Sequence, residues 1–148
     1  MWRDDGLDVV TEYRAGTYIY FDRSLVENRT CDWSDCALTV LSTVVSRPTD
    51  KRAMIDAGSK SLTSDVVPAS VGEGYGLILE YPEAVIRELS EEHGVVDFGA
   101  CERAPRTGER LRIVPNHVCP VSNLVDEVHL HRDGRLLGTC RVAARGAH

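Results

Sequence analysis

Short segments of this chain alternate apolar and polar residues with a period of two, the spacing of a half-buried strand. Ala37 to Ser46 (ALTVLSTVVS) is dense in Val, Leu and Thr and predicts a strand. Arg47 to Lys51 reads as a turn, and Arg52 to Asp56 as the returning strand. Arg110 to Val114 (RLRIV) and Glu127 to His131 (EVHLH) alternate cleanly. Asp133-Gly134 is a two-residue hairpin signal, with Arg135 to Ala143 as the partner strand. Tyr13 to Asp22 (YRAGTYIYFD) is aromatic and β-branched and predicts a strand interrupted at Gly16. Residues 23–36 read as irregular, residues 63–76 as a long loop, and Gly76 to Tyr81 as a short apolar piece. These elements predict a mostly β, antiparallel domain, partly closed as a barrel or sandwich, with few or no long helices.

One segment resists that pattern. Pro82 to Val96 (PEAVIRELSEEHGVV) opens on Pro and Glu and closes near Gly94. Val85, Ile86 and Leu89 fall on one helical face, so local propensity predicts a helix.

Composition narrows the function classes. The 148 residues fit one domain with a sizeable core. The formal charge of −6 and the lack of a Lys/Arg block argue against nucleic acid as a partner. No apolar run reaches the roughly 18–20 residues of a membrane span. The polar start Met1 to Asp5 is not followed by a signal-type apolar region, which points to the cytoplasm. The five cysteines are then expected as reduced thiols. Cys31 and Cys36 loosely permit metal binding, but the second pair of a zinc finger is missing.

The candidate chemistry lies in Pro115 to Leu124 (PNHVCPVSNL), read as a loop on the β scaffold. It sets the imidazole of His117 two positions from the thiol of Cys119. Nitrogen and sulfur donors favour zinc over magnesium or calcium. Two protein ligands would leave positions open for water or a substrate oxygen, as a Lewis-acid site needs. Asn116, Asp126 and Glu127 are candidates to orient the ligands. His129 and His131 share one strand face and read first as solvated. His93 reads as a surface turn beside Glu91 and Glu92, and His148 is terminal. Lys60 lacks the apolar surroundings of a Schiff-base lysine and reads as structural or as an anion partner. The chain carries no nucleophile elbow, phosphate-binding loop or dinucleotide fingerprint.

Six blocks in order carry a family resemblance. They are Arg14 to Tyr18, Asp56 to Lys60, Glu91 to Gly94, Pro115 to Pro120, Asn123-Leu124 with Asp126 to Val128, and Val142 to Gly146. Together they resemble the C-terminal domain of the D-threonine aldolase and eukaryotic-type D-serine dehydratase family, pyridoxal-phosphate enzymes of the alanine-racemase fold type. The resemblance runs from about Tyr13 to Gly146, leaving residues 1–12 as a lead-in from an interdomain junction and 13–148 as the β domain. It implies that His117 and Cys119 hold a divalent metal, zinc in the cysteine form. It also implies that Ile86 to Val96 is extended, against local propensity.

The implied chemistry acts on a β-hydroxy D-amino acid, with pyridoxal phosphate as electron sink and the metal on the β-hydroxyl. Dehydration and aldol cleavage need the same two ligands. The cofactor lysine belongs to an N-terminal α/β barrel that has no counterpart in this sequence, so Lys60 does not take that role. The chain by itself is then expected to be inactive, with no catalytic or cofactor-binding residue assigned, a barrel domain as its partner and a homodimer as one assembly. An apolar face left at the junction would promote association. The other reading is a stand-alone, non-catalytic β scaffold that binds a metal or a partner. A racemase is disfavoured because it has no use for a metal pair at this loop.

Overall fold

The computed structural model describes residues 11–12, 16–68 and 72–146. Six strands form one sheet: β1 (Val40–Thr49), β2 (Arg52–Ile55), β3 (Leu77–Ile78), β4 (Val85–Leu89), β5 (Gly94–Asp97) and β6 (Arg110–Val114). Their order is β3-β6-β1-β2-β5-β4, and every neighbouring pair is antiparallel. The two edges of the sheet approach each other. Tyr75 N, just ahead of β3, donates to Ile86 O on β4 at 3.2 Å. Gly74 permits this approach: its φ is +80°, and a Cβ there would lie 2.6 Å from Ile86 O. The result is the expected mostly β domain, a nearly closed antiparallel barrel.

Alternation explains the core. On β6, Leu111 and Ile113 point inward and are fully buried, while Arg110 and Arg112 face out. Val44, Ile55, Ile78, Ile86 and Val96 join them, and Tyr81 packs edge-on against Phe98 with centroids 5.2 Å apart. Burying each such aliphatic side chain contributes about 1.5–3 kcal/mol.

The ambiguous segment is extended, as the resemblance implied. Ile86 faces Val96 across a β4–β5 hairpin, and both are fully buried. Tertiary burial therefore overrides the helical propensity of this stretch. The extension is not continuous: Ser90 to His93 form the turn, closed by Ser90 N donating to His93 O at 2.8 Å. The acidic and histidine residues thus sit between two strands.

Three helices are short: α1 (Arg23–Glu27), α2 (Ser59–Leu62) and α3 (Val118–Asn123). Two of them correct the sequence reading. The stretch 23–36 is not irregular throughout, because it holds α1 and a 3₁₀ turn at Trp33–Asp35 capped reciprocally by Asp32 and Asp35. The stretch Pro115 to Leu124 is not a plain loop, since α3 occupies most of it. The expected strand from Tyr13 to Asp22 is also absent over its described part, Tyr13 to Ala15 lying outside the described residues. Thr17–Ile19 form a 3₁₀ turn, Phe21 has a φ of +52°, and Asp22 caps α1, which together break any extended run. The β1 strand also runs on to Thr49, so the turn expected at Arg47 to Lys51 begins only at Asp50.

Strands β7 (Glu127–Arg132) and β8 (Arg135–Arg141) make a separate two-stranded ribbon. Its turn is Asp133-Gly134, with φ of +49° and +74°, the left-handed pair that a tight hairpin requires.

Candidate metal centre

Strand β6 delivers the chain into the candidate site, and α1 receives it. Arg23 N donates to Pro115 O at 3.1 Å, and Ser24 N donates to Asn116 O at 3.3 Å. The wholly buried Asp22 uses both carboxylate oxygens. Oδ1 accepts from Leu25 N at 3.2 Å and from Ser24 Oγ at 2.6 Å. Oδ2 accepts from Val118 N, the amide between His117 and Cys119, at 3.0 Å. A buried carboxylate needs such donors, since an unpaired one is costly to desolvate.

Arg23 and Asn116 form the floor. Arg23 Nη1 donates to Glu73 O at 2.8 Å, Gly76 O at 3.0 Å and Asn116 Oδ1 at 3.4 Å. Burial draws its pKa down, and the Glu27 carboxylate, 3.7 Å from Nε, opposes that. Asn116 Nδ2 donates to Asp65 O and Gly74 O, each at 2.8 Å. Asn116 therefore ties the long loop that carries Asp65 to the end of β6.

Above that floor, His117 Nδ1 lies 3.3 Å from Asp65 Oδ2, both side chains about half exposed at 48% and 46%. A carboxylate on Nδ1 favours the tautomer with Nδ1–H and leaves Nε2 as the free donor atom. Cys119 is exposed in the first turn of α3. Partial desolvation of its sulfur, followed by the Asp22 charge, pushes the thiol pKa up. Nitrogen and sulfur donors two positions apart in the chain are the ligand types a zinc-type ion takes. Among the described residues no three His, Cys, Asp or Glu groups converge to hold a metal. Two protein donors are fewer than the four that close a structural zinc site.

Other candidates separate from this centre. Asp126 is engaged by Arg145 Nη1 at 2.8 Å, and Glu127 is exposed at the start of β7. His129 and His131 are exposed on the ribbon, and His129 Nδ1 meets Thr139 Oγ1 at 3.1 Å. His93 caps its turn through its backbone, donating N–H to Ser90 Oγ at 3.1 Å. Lys60 Nζ pairs with Glu92 Oε1 at 2.5 Å, so it is an exposed ion-pair partner whose pKa that carboxylate raises. Burial, followed by the charge of the neighbouring Cys31, pushes the Cys36 thiol up to about 11. All five cysteines are free thiols. Sequence reasoning missed Asp22, Arg23 and Asp65. The cap pattern Asp22-Arg23-Ser24-Leu25 could have revealed α1, but nothing local pairs Asp22 with Val118.

Comparison with known proteins decides the family. Residues 37–131 match the family model described as "Putative serine dehydratase domain". The chain belongs to that family. An uncharacterized protein of Mycobacterium tuberculosis is 41% identical over 129 residues, covering 84% of this chain and 96% of that relative. D-threonine aldolase of an Arthrobacter species is 35% identical over 149 residues, covering 97% of this chain but 36% of the aldolase. The solved structure of D-threo-3-hydroxyaspartate dehydratase from Delftia superposes with a TM-score of 0.75 at 32% identity, over 92% of this chain and 40% of that one. This domain thus recurs in D-amino-acid lyases, and the chain spans well under half of each of the two named enzymes. D-threo-3-hydroxyaspartate dehydratase has also been solved as a cysteine-to-alanine variant in a metal-free form and as a histidine-to-alanine variant, the two positions lying two residues apart. No helix among the described residues is long and apolar enough to cross a membrane.

Proposed function

We propose that this chain is the metal-binding β domain of a pyridoxal-phosphate-dependent D-amino-acid lyase, with His117 and Cys119 as the metal ligands. One observation carries the reading. The histidine and cysteine altered in variants of D-threo-3-hydroxyaspartate dehydratase have the same two-residue spacing as His117 and Cys119, and the cysteine variant was solved in a metal-free form. When bound, a zinc-type ion supplies a Lewis acid for the β-hydroxyl of a D-amino acid. Asp65 holds the His117 ring by Nδ1, Asn116 holds the backbone of Asp65, and Cys119 offers its sulfur from the start of α3. Dehydration and aldol cleavage draw on the same ligands, so the reaction type depends on the barrel domain that would carry pyridoxal phosphate. The exposed Tyr18 and Ile19, 59% and 63% accessible, lie near the proposed junction and suit a covering domain.

A second reading is supported by the mycobacterial relative, which this domain nearly fills. There the β domain would act as a stand-alone metal- or partner-binding scaffold.

The experiment is a metal analysis of purified protein with a zinc titration of wild type, His117→Ala and Cys119→Ala. About one zinc per chain is expected in the wild type, with affinity reduced in both variants. A wild type without metal, and an unaltered titration in Cys119→Ala, would sink the site. Mixing the chain with a separately expressed barrel from a family lyase then separates the readings: restored lyase activity supports the first, and zinc binding without activity supports the second.

A further inference from the structure

The side chains that set the backbone of the candidate site lie far away in sequence. We infer that Asp22 is a positioning residue that fixes the His117–Val118–Cys119 backbone through the Val118 amide. The inference rests on the metal-site reading for its purpose but on separate geometry for its substance.

Three observations carry it. Asp22 is wholly buried, so its carboxylate depends on the donors it finds inside the protein. Its two oxygens serve two helix starts at once: Leu25 N and Ser24 Oγ on α1, and Val118 N on α3. The same segment makes two further backbone bonds to the site, from Arg23 N to Pro115 O and from Ser24 N to Asn116 O. Residues 22–24 therefore clasp residues 115–118 along their length.

The consequence is geometric. His117 is the residue before α3, and Cys119 lies within its first turn. The amide of Val118 lies between the two donor side chains along the chain, and the Asp22 carboxylate accepts from it. Without an acceptor there, the start of α3 can fray, and the nitrogen and sulfur lose their common orientation. Groups that orient a ligand from behind typically alter metal affinity 10–100-fold.

The test uses the whole chain as wild type, Asp22→Ala and Asp22→Asn. In metal-free protein, amide exchange followed by NMR should show Val118 exchanging about tenfold faster in Asp22→Ala, with the amides of Ile113 and Val96 unchanged. Asp22→Asn offers one acceptor oxygen where three donors shared two. It should move Val118 in the same direction by less, and it serves as the test if Asp22→Ala does not fold. Zinc titrated against a chromophoric chelator should bind about tenfold more weakly to Asp22→Ala, with Asp22→Asn between. Unchanged Val118 exchange in both variants overturns the inference whatever zinc does. Where the wild type binds zinc, equal affinity in all three proteins also overturns it, since a clasp that moves no ligand positions nothing. Accelerated Val118 exchange in a chain whose wild type binds no zinc supports the clasp and removes the metal reading instead.

Discussion

The barrel and the β7–β8 ribbon are built from the same alternating pattern, yet they are held by different forces. In the barrel, alternation buries one face: Ile55, Ile86, Val96, Leu111 and Ile113 are wholly inaccessible. In the ribbon, Leu130, Leu136 and Leu137 remain 48%, 67% and 61% exposed. The ribbon depends on its turn and its cross-strand bonds, and a two-stranded hairpin alone is only marginally stable in water. Period two therefore reports that a segment is extended, not that it is buried.

Core truncation should give the largest effect. Ile86→Ala is expected to cost about 2–5 kcal/mol in chemical denaturation, because it opens a cavity where β4 meets β5. A cost below about 1 kcal/mol would mean that the barrel is as loosely packed as the ribbon.

Arg23→Met comes next. It leaves Glu73 O, Gly76 O and Asn116 Oδ1 without their shared donor, at about 1–3 kcal/mol. Its effect should extend into the candidate site, with faster amide exchange at Asn116 and His117.

Gly134→Ala tests the ribbon alone. A side chain at φ of +74° should cost about 1–2 kcal/mol. The loss should appear as faster exchange along β7 and β8, with the barrel melting as before. A cooperative loss of the whole fold would show that ribbon and barrel are one unit.

Asp56 supplies a pH dependence within the barrel. Burial pushes its pKa up, but hydrogen bonds from Thr43 N and Ser42 Oγ to Oδ1 outweigh it and hold the carboxyl below the usual range. Its contribution is therefore present above the unfolded pKa of about 3.9 and is lost as pH falls through the lower folded value. Asp56→Asn should flatten the decline of melting temperature below about pH 4. An identical acid slope would mean that those bonds add nothing. Leu136→Ala should be the smallest change, within about 0.5 kcal/mol, because its side chain is already in solvent.

Much of the fold was legible in local pattern. Strands β1, β2, β6, β7 and β8 fall where alternation and the Asp133-Gly134 turn place them, because pleat and turn chemistry are properties of neighbouring residues. The β4–β5 hairpin was not legible that way. Its residues favour a helix locally, and only the family blocks argued for extension. The aromatic stretch ending at Asp22 misled for a related reason: β propensity says nothing of the cap that Asp22 makes to Leu25.

The candidate site divides along the same line. The sequence by itself supplied the candidate donor pair, since His117 and Cys119 are two positions apart and the chemistry of imidazole and thiol is intrinsic. It also determined that the segment follows a strand. Only the tertiary structure decided that the segment is a helix start and that Asp65 faces His117 Nδ1. It alone placed the carboxylate of Asp22, 96 positions away, on the amide between the two donors. Ligand identity is a local property of side-chain atoms. The backbone around those side chains is held by hydrogen bonds from residues far away in sequence, and those form only when the barrel closes and brings distant segments into contact.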